Sequence, residues 1–181
     1  MEISKTLIKY RYPLLFLGLI TLGVVFRLIP HLPNFAPIGA IAIAAGLMFR
    51  WRYAMWLPII IMVISDITIG LYHGFLWTWL SLAIIPLLGV LLRQRPLVWQ
   101  IPLGSMGASL LFFIISNFGV WVSSGMYSHT LAGLIDCFVM ALPFLRSTML
   151  SDILFTSVLL VAIQYGAVIL RVRPLRTPIA L

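Results

Sequence analysis

The chain has 181 residues, of which 62% are apolar and only 9% are charged. Soluble domains average about 25% charged residues, so this chain has too few polar groups to cover a soluble fold of its size. The composition excludes that class and predicts an all-α integral membrane protein. The net charge of +8 does not indicate nucleic-acid binding, because the basic residues form small clusters between long apolar runs.

Six apolar segments predict a six-transmembrane-helix bundle that forms a single membrane domain over residues 1–181. A bilayer core of ~30 Å requires about 20 apolar residues per helix, fewer where a span ends in a loop that dips inward. The predicted spans are residues 13–29, 35–49, 53–71, 75–92, 101–122 and 148–170. The second is short, and Pro58 and Pro86 are expected to kink the third and fourth.

The distribution of basic residues predicts the orientation. With six spans, ten basic residues fall on one side of the membrane and only Arg27 and Arg146 on the other. Positive charge stays in the cytoplasm, so both termini are predicted to be cytoplasmic. The ten residues are Lys5, Lys9, Arg11, Arg50, Arg52, Arg93, Arg95, Arg171, Arg173 and Arg176.

A further helix is predicted between the fifth and sixth spans, on the non-cytoplasmic side. Apolar residues recur at helical spacing over residues 130–141, a segment too short to cross a bilayer. We expect a re-entrant or interfacial helix that is stopped by Pro143.

Polar residues within spans are costly and therefore point to function or to close pairing. Arg27, Asp66, Asn117 and Asp152 are expected at one level near the non-cytoplasmic ends of four helices, with Arg146 just outside the sixth. Their convergence predicts a polar cavity that is open to that side. Each also has a structural interpretation: an ion pair between Arg27 and Asp66, a charge at a helix N-terminus, or a contact between helices.

The connection between the first two helices, residues 28–37, contains three prolines together with His31 and Asn34. This stiff segment could act as a lid over a cavity or serve only as a tight connection. Trp121 and Tyr127 could stack on a flat ligand or anchor the protein at the membrane interface.

Small residues at Ala36, Ala40 and Ala44 indicate a close-packing seam, or alternatively a surface for docking another membrane protein. No nucleophile elbow, zinc-protease motif or Walker loop is present, and no metal-binding spacing links the three histidines. Ser precedes both Asp66 and Asp152, unlike the surroundings expected of an intramembrane aspartic protease. We therefore expect no catalysis, no metal and no cofactor.

Several segments together resemble a group of small membrane proteins of bacteria and plastids. The matching segments are residues 26–40, 64–66, 116–121, 143–144 and 151–152. That group is in turn similar to the substrate-binding S components of energy-coupling-factor (ECF) vitamin transporters. Six helices, the lid-like first loop and the acidic residue at the end of the third helix carry this second resemblance.

The resemblance implies a ligand cavity under the loop between helices one and two. It also implies docking on a transmembrane coupling protein that is powered by ATPases, although the first helix lacks the Ala-x-x-x-Ala motif common in S components. The expected function is a substrate-binding subunit for uptake of a vitamin or cofactor precursor, in a bacterial plasma membrane or alternatively a plastid membrane. A membrane scaffold and an intramembrane enzyme are the alternatives. The predicted ligand-binding residues are Arg27, His31, Asn34, Asp66, Asn117, Trp121, Tyr127, Arg146 and Asp152.

Overall fold

The computed structural model describes residues 2–169, with side chains described for residues 12–166. Within this part the chain is all-helical, as predicted. The helices are α1 (Glu2–Leu28), α2 (Ile38–Met48), α3 (Trp51–Ile69), α4 (Phe75–Leu92), α5 (Leu97–Ser123) and α6 (Leu131–Ile169). Several predictions lie outside the described residues: the end of the last span at Leu170, the basic residues Arg171, Arg173 and Arg176, and the side chains of Lys5, Lys9 and Arg11.

Four of the helices, α3 to α6, are long and apolar enough to cross a membrane. Large apolar side chains cover the outside of the bundle: Ile67 is 79% exposed, Leu91 76% and Leu17 60%. An apolar surface of this extent is unfavourable in water and is typical of a lipid-facing surface. The chain is therefore a membrane protein.

Helix α2 is the centre of the bundle. All eleven of its residues are buried, and it packs against each of the other five helices. At 1.5 Å per residue it is only about 16 Å long, half the ~30 Å of a bilayer core. It contains only apolar residues and glycine, as expected of a helix covered on every side. The predicted span at residues 35–49 is thus a short internal helix.

The closest helix packing is between α2 and α4. A methyl group added at Gly46 would overlap the backbone carbonyl oxygen of Pro86, and one added at Gly89 would overlap the backbone of α2. Ala40 and Ala44 are 0% exposed. Two of the three predicted seam residues, Ala40 and Ala44, therefore pack inside the chain, while Ala36 is half-buried.

The C-terminal end of α2 is capped by the side chain of Arg93, the residue that directly follows α4. Arg93 Nε donates a hydrogen bond to the Gly46 carbonyl at 2.8 Å, and Nη2 donates to the Phe49 carbonyl. The last carbonyls of a helix have no partner within the helix and carry partial negative charge. The guanidinium supplies both the hydrogen-bond donors and the positive charge. We call this capped end of α2 the closed end.

The predicted stop at Pro143 is wrong, because α6 runs through this residue as one 39-residue helix. Proline removes one backbone hydrogen bond, but contacts with α5 hold the helix on both sides of it. Phe138 packs on Phe113 with ring centroids 5.3 Å apart, and Asp152 bonds Ser109. The predicted separate helix at residues 130–141 is therefore the first part of α6. The helix is about 58 Å long and exceeds the bilayer core.

Candidate functional site

The segment between α1 and α2 lies against α6 and covers one end of the bundle. Ser147 Oγ donates to the Pro33 carbonyl at 2.8 Å, and Ser151 Oγ donates to the Ala36 carbonyl at 3.1 Å. Asn34 adopts a positive φ of 58°, a conformation that asparagine tolerates better than most residues. Two hydroxyl groups from α6 therefore fix the path of this proline-rich segment into α2.

A cavity of about 290 Å³ lies beneath this segment, above the N-terminal end of α2. Its polar lining residues are Arg27, His31, Asn34, Tyr72, Thr78, Thr148 and Asp152. Its other lining residues are Ala36, Ile38, Gly39, Leu82, Ile85 and Phe112. Small-molecule sites have this composition, with mostly apolar walls and a few polar groups, and this cavity is near the lower end of their usual size.

Arg27 is held at the cavity by an ion pair with Asp66, across from α1 to α3. The other carboxylate oxygen of Asp66 accepts a hydrogen bond of 2.8 Å from Trp79 Nε1 on α4. Asp66 is 1% exposed, while 18% of the Arg27 side chain is exposed. Both carboxylate oxygens are thus occupied within the protein. Asp66 therefore positions Arg27, which lines the cavity.

Asp152 reaches the cavity from α6, beside the first turn of α2. It is 2% exposed, and its Oδ2 accepts a hydrogen bond of 2.7 Å from Ser109 Oγ. A Cβ atom at Gly39 would overlap the Asp152 carboxylate, so only glycine allows this close approach. Buried carboxylates usually have a cationic partner, but none of the basic side chains at residues 12–166 lies within ion-pair distance of Asp152.

Helix α2 begins without a side-chain cap. Its N-cap is Pro37, which makes no side-chain hydrogen bond, and the first backbone amide paired to the turn is that of Ile41. The N–H groups of the first turn of a helix carry partial positive charge and need partners. The Asp152 carboxylate beside Gly39 complements this charge. Asp152 therefore both complements the N-terminus of a helix and lines the cavity.

Four of the nine predicted ligand-binding residues line the cavity, and the others lie elsewhere. Asp66 stands behind Arg27. Asn117 bonds the Phe113 carbonyl of its own helix at 2.7 Å and is not among the residues that line the cavity. The four lining residues are Arg27, His31, Asn34 and Asp152; the four remote ones are Asn117, Trp121, Tyr127 and Arg146.

The two remote aromatic residues lie at the C-terminal end of α5 and in the connection that follows it. Trp121 Nε1 donates to the Ser128 carbonyl at 2.9 Å, and its ring packs edge-on against His129 at 5.5 Å. Tyr127 is half-buried in the same connection, and Arg146 is exposed on α6. These contacts fold the connection onto itself and away from the cavity.

Several cavity residues were missed from the sequence, namely Tyr72, Thr78 and Thr148. Thr148 precedes Asp152 by one helical turn, so spacing alone could have placed it on the same face. The Tyr72 side chain enters from the loop between α3 and α4, which no periodicity could reveal. Burial raises the pKa of its phenol, an effect opposed by a hydrogen bond with Thr78. Tyr72 is therefore a neutral hydrogen-bonding group at physiological pH.

A family model covers most of the chain, matching residues 8–171. The chain belongs to DUF6580, a family of unknown function. No curated protein and no solved structure matches the chain. For this DUF6580 member, the chemistry of the cavity is therefore the guide to function.

The cavity combines two charged groups with apolar walls. Arg27 supplies N–H donors and Asp152 supplies an acceptor, on opposite elements of the lining. Leu82, Ile85 and Phe112 supply apolar surface in the same lining. Such a site can hold a small molecule in one orientation.

Proposed function

We propose that this protein binds a small molecule and acts as the substrate-binding membrane subunit of an uptake system for a vitamin or cofactor precursor. The observation that carries the proposal is the cavity between Arg27 and Asp152, buried within a membrane protein. Charged groups inside membrane bundles are costly and commonly mark substrate pathways. A half-length helix that begins at a cavity is also a recurrent feature of transporter binding sites.

The cavity is proposed to open to the non-cytoplasmic side. Arg50 precedes α3 and Arg93 follows α4, and both lie at the end of the bundle opposite the cavity. The positive-inside rule favours this arginine-bearing end as the cytoplasmic one. The cavity would then receive its ligand from outside, and the cytoplasmic end would face the coupling protein and ATPases that the resemblance to S components implies.

Retention of a bound molecule tests the binding function. The protein would be purified from its native membrane in nanodiscs, and native mass spectrometry would identify any retained small molecule. The double substitution Arg27→Ala with Asp66→Asn removes the guanidinium without leaving a buried, unpaired carboxylate. We expect it to abolish retention, while Arg146→Ala, an exposed arginine outside the cavity, retains the wild-type amount. Equal retention by both variants would refute the proposed site.

Cysteine labelling tests the orientation. In a Cys137→Ser background, His31→Cys at the cavity end and Arg52→Cys at the opposite end would be exposed to a membrane-impermeant maleimide in intact cells. We expect the cysteine at position 31 to be labelled directly and the one at position 52 only after lysis. The reverse pattern would place the cavity on the cytoplasmic side and exclude uptake from outside.

A further inference from the structure

The two charged side chains of the cavity, Arg27 and Asp152, differ in whether the protein supplies an ion-pair partner. This difference indicates which chemical groups a ligand would carry. This inference rests on the proposed binding function and adds the class of molecule that is bound. Arg27 has a carboxylate partner in Asp66, whereas Asp152 has no cationic partner among residues 12–166. Asp152 is therefore the carboxylate at the cavity whose ionised form would gain most from a cationic group on the ligand.

Asp152 has one oxygen available to a ligand. Its Oδ2 accepts the hydrogen bond from Ser109, while its Oδ1 has no hydrogen-bond partner within the described part of the chain. The side chain is 2% exposed and lines the cavity. A buried carboxylate is stabilised strongly by a cationic partner that also donates a hydrogen bond. An ammonium group fulfils both conditions.

Arg27 has several donors available to a ligand. A guanidinium carries five N–H groups, and Arg27 uses one nitrogen, Nη2, to bond Asp66. Its Nε is buried and has no accessible surface, so the terminal Nη groups are the donors that a ligand in the cavity can meet. The planar guanidinium is well suited to a carboxylate. The Arg27 side of the cavity therefore favours an oxygen acceptor, with a carboxylate as the best match.

We propose that the ligand is a small amino-carboxylate-type molecule, whose ammonium group pairs with Asp152 and whose carboxylate meets Arg27. The volume of about 290 Å³ restricts it to a small molecule. Leu82, Ile85 and Phe112 provide apolar contacts for the carbon chain between the two charged ends. The ligand ammonium would give Asp152 the cationic partner that it lacks among residues 12–166.

Three probes of nearly equal length test this inference: γ-aminobutyrate, which carries both groups, butylammonium, which lacks the carboxylate, and butyrate, which lacks the ammonium. Binding to the full-length protein in nanodiscs would be measured by the shift in thermal unfolding at increasing probe concentration. We expect γ-aminobutyrate to bind most tightly, butylammonium more weakly, and butyrate not at all. Binding of butyrate at least as tight as that of γ-aminobutyrate, or binding of none of the three, would overturn the inference.

A matched pair of substitutions on α6 separates the role of Asp152 from general effects of charge. Asp152→Asn removes the buried charge, whereas Asp136→Asn removes an exposed carboxylate from the same helix. We expect Asp152→Asn to weaken γ-aminobutyrate binding by about 30-fold or more and Asp136→Asn to leave it unchanged. Equal affinity in both variants would overturn the ammonium assignment. Retention of a native ligand that lacks an ammonium group would overturn it too, while leaving the proposed binding function intact.

Discussion

The two ends of α2 are built in opposite ways. At the C-terminal end, the Arg93 guanidinium donates to two carbonyl groups, and Gly46 brings α4 into backbone contact. At the N-terminal end there is no side-chain cap, and the helix starts at a cavity beside a buried, unpaired carboxylate. The C-terminal end of this eleven-residue helix is thus expected to contribute to stability, and the N-terminal end to ligand binding.

The largest effect is expected at the closed end. Substituting Gly46→Leu places a side chain where even a methyl group would overlap the Pro86 carbonyl. Because backbone atoms cannot move aside as a flexible side chain does, we expect a loss of about 3 kcal/mol or more in the free energy of unfolding. SDS titration in mixed micelles would measure it. Gly18→Leu is the control, since a Cβ atom there meets nothing within 4 Å; equal losses in the two variants would contradict the packing.

The next effect concerns the charge at the closed end. Arg93→Gln removes the guanidinium that bonds the Gly46 and Phe49 carbonyls. Hydrogen bonds to charged groups contribute about 1.5–3 kcal/mol each, and glutamine can replace part of one, so we expect a loss of about 2 kcal/mol. The same SDS titration measures it, with Arg95→Gln as the exposed arginine control. If the two variants are equally stable, the Arg93 cap is unimportant.

A smaller effect is expected where the segment between α1 and α2 is hydrogen-bonded to α6. The double substitution Ser147→Ala with Ser151→Ala removes both hydroxyl groups that hold residues 29–37 against α6. Each hydrogen bond contributes about 1 kcal/mol, so opening of the segment should become favoured by about 2 kcal/mol locally, with less effect on global unfolding. Hydrogen exchange of residues 29–37 measures this opening. Ser157→Ala, whose hydroxyl bonds only its own helix, should leave the exchange rates unchanged.

The smallest effect on stability is expected at the N-terminal end of α2. Asp152→Asn loses a favourable interaction with the first turn of α2, worth about 0.3–1 kcal/mol, but it also removes the cost of burying a charge. We expect the free energy of unfolding to change by less than about 1 kcal/mol, although ligand binding is weakened. A loss in SDS titration larger than that of Arg93→Gln would show that Asp152 stabilises the fold, and the contrast between the two ends would fail.

The sequence predicted the helices better than their packing. Apolar runs of about 20 residues indicated α3, α4 and α5 directly, because such runs are required to cross a bilayer. Pro143 was interpreted as a helix stop on local grounds, whereas contacts of Phe138 and Asp152 with α5 hold the helix through it. Local signals give the backbone preference, but packing between distant segments decides the outcome.

The candidate site was predicted in part, for a related reason. Arg27, Asp66 and Asp152 stand out in the sequence because charges are rare in apolar helices. Asn117 is also polar within an apolar helix but bonds a carbonyl of its own helix, and Tyr72 reaches the cavity from a loop. Side-chain direction depends on how far each helix extends and how it is rotated in the bundle. Neither could be read from the apolar pattern of the sequence. The approximate depth of each polar residue in the membrane could therefore be predicted, but not which of these residues line the same cavity.

We propose above that a ligand lies at the N-terminal end of α2, between Arg27 and Asp152. The most direct measurement is an experimental density map of the protein purified from its native membrane, without added ligand. Our account predicts compact non-protein density in the cavity, within hydrogen-bond distance of the Arg27 guanidinium and of Asp152 Oδ1. A cavity that is collapsed by its own side chains, or filled by a lipid acyl chain reaching neither group, would contradict it.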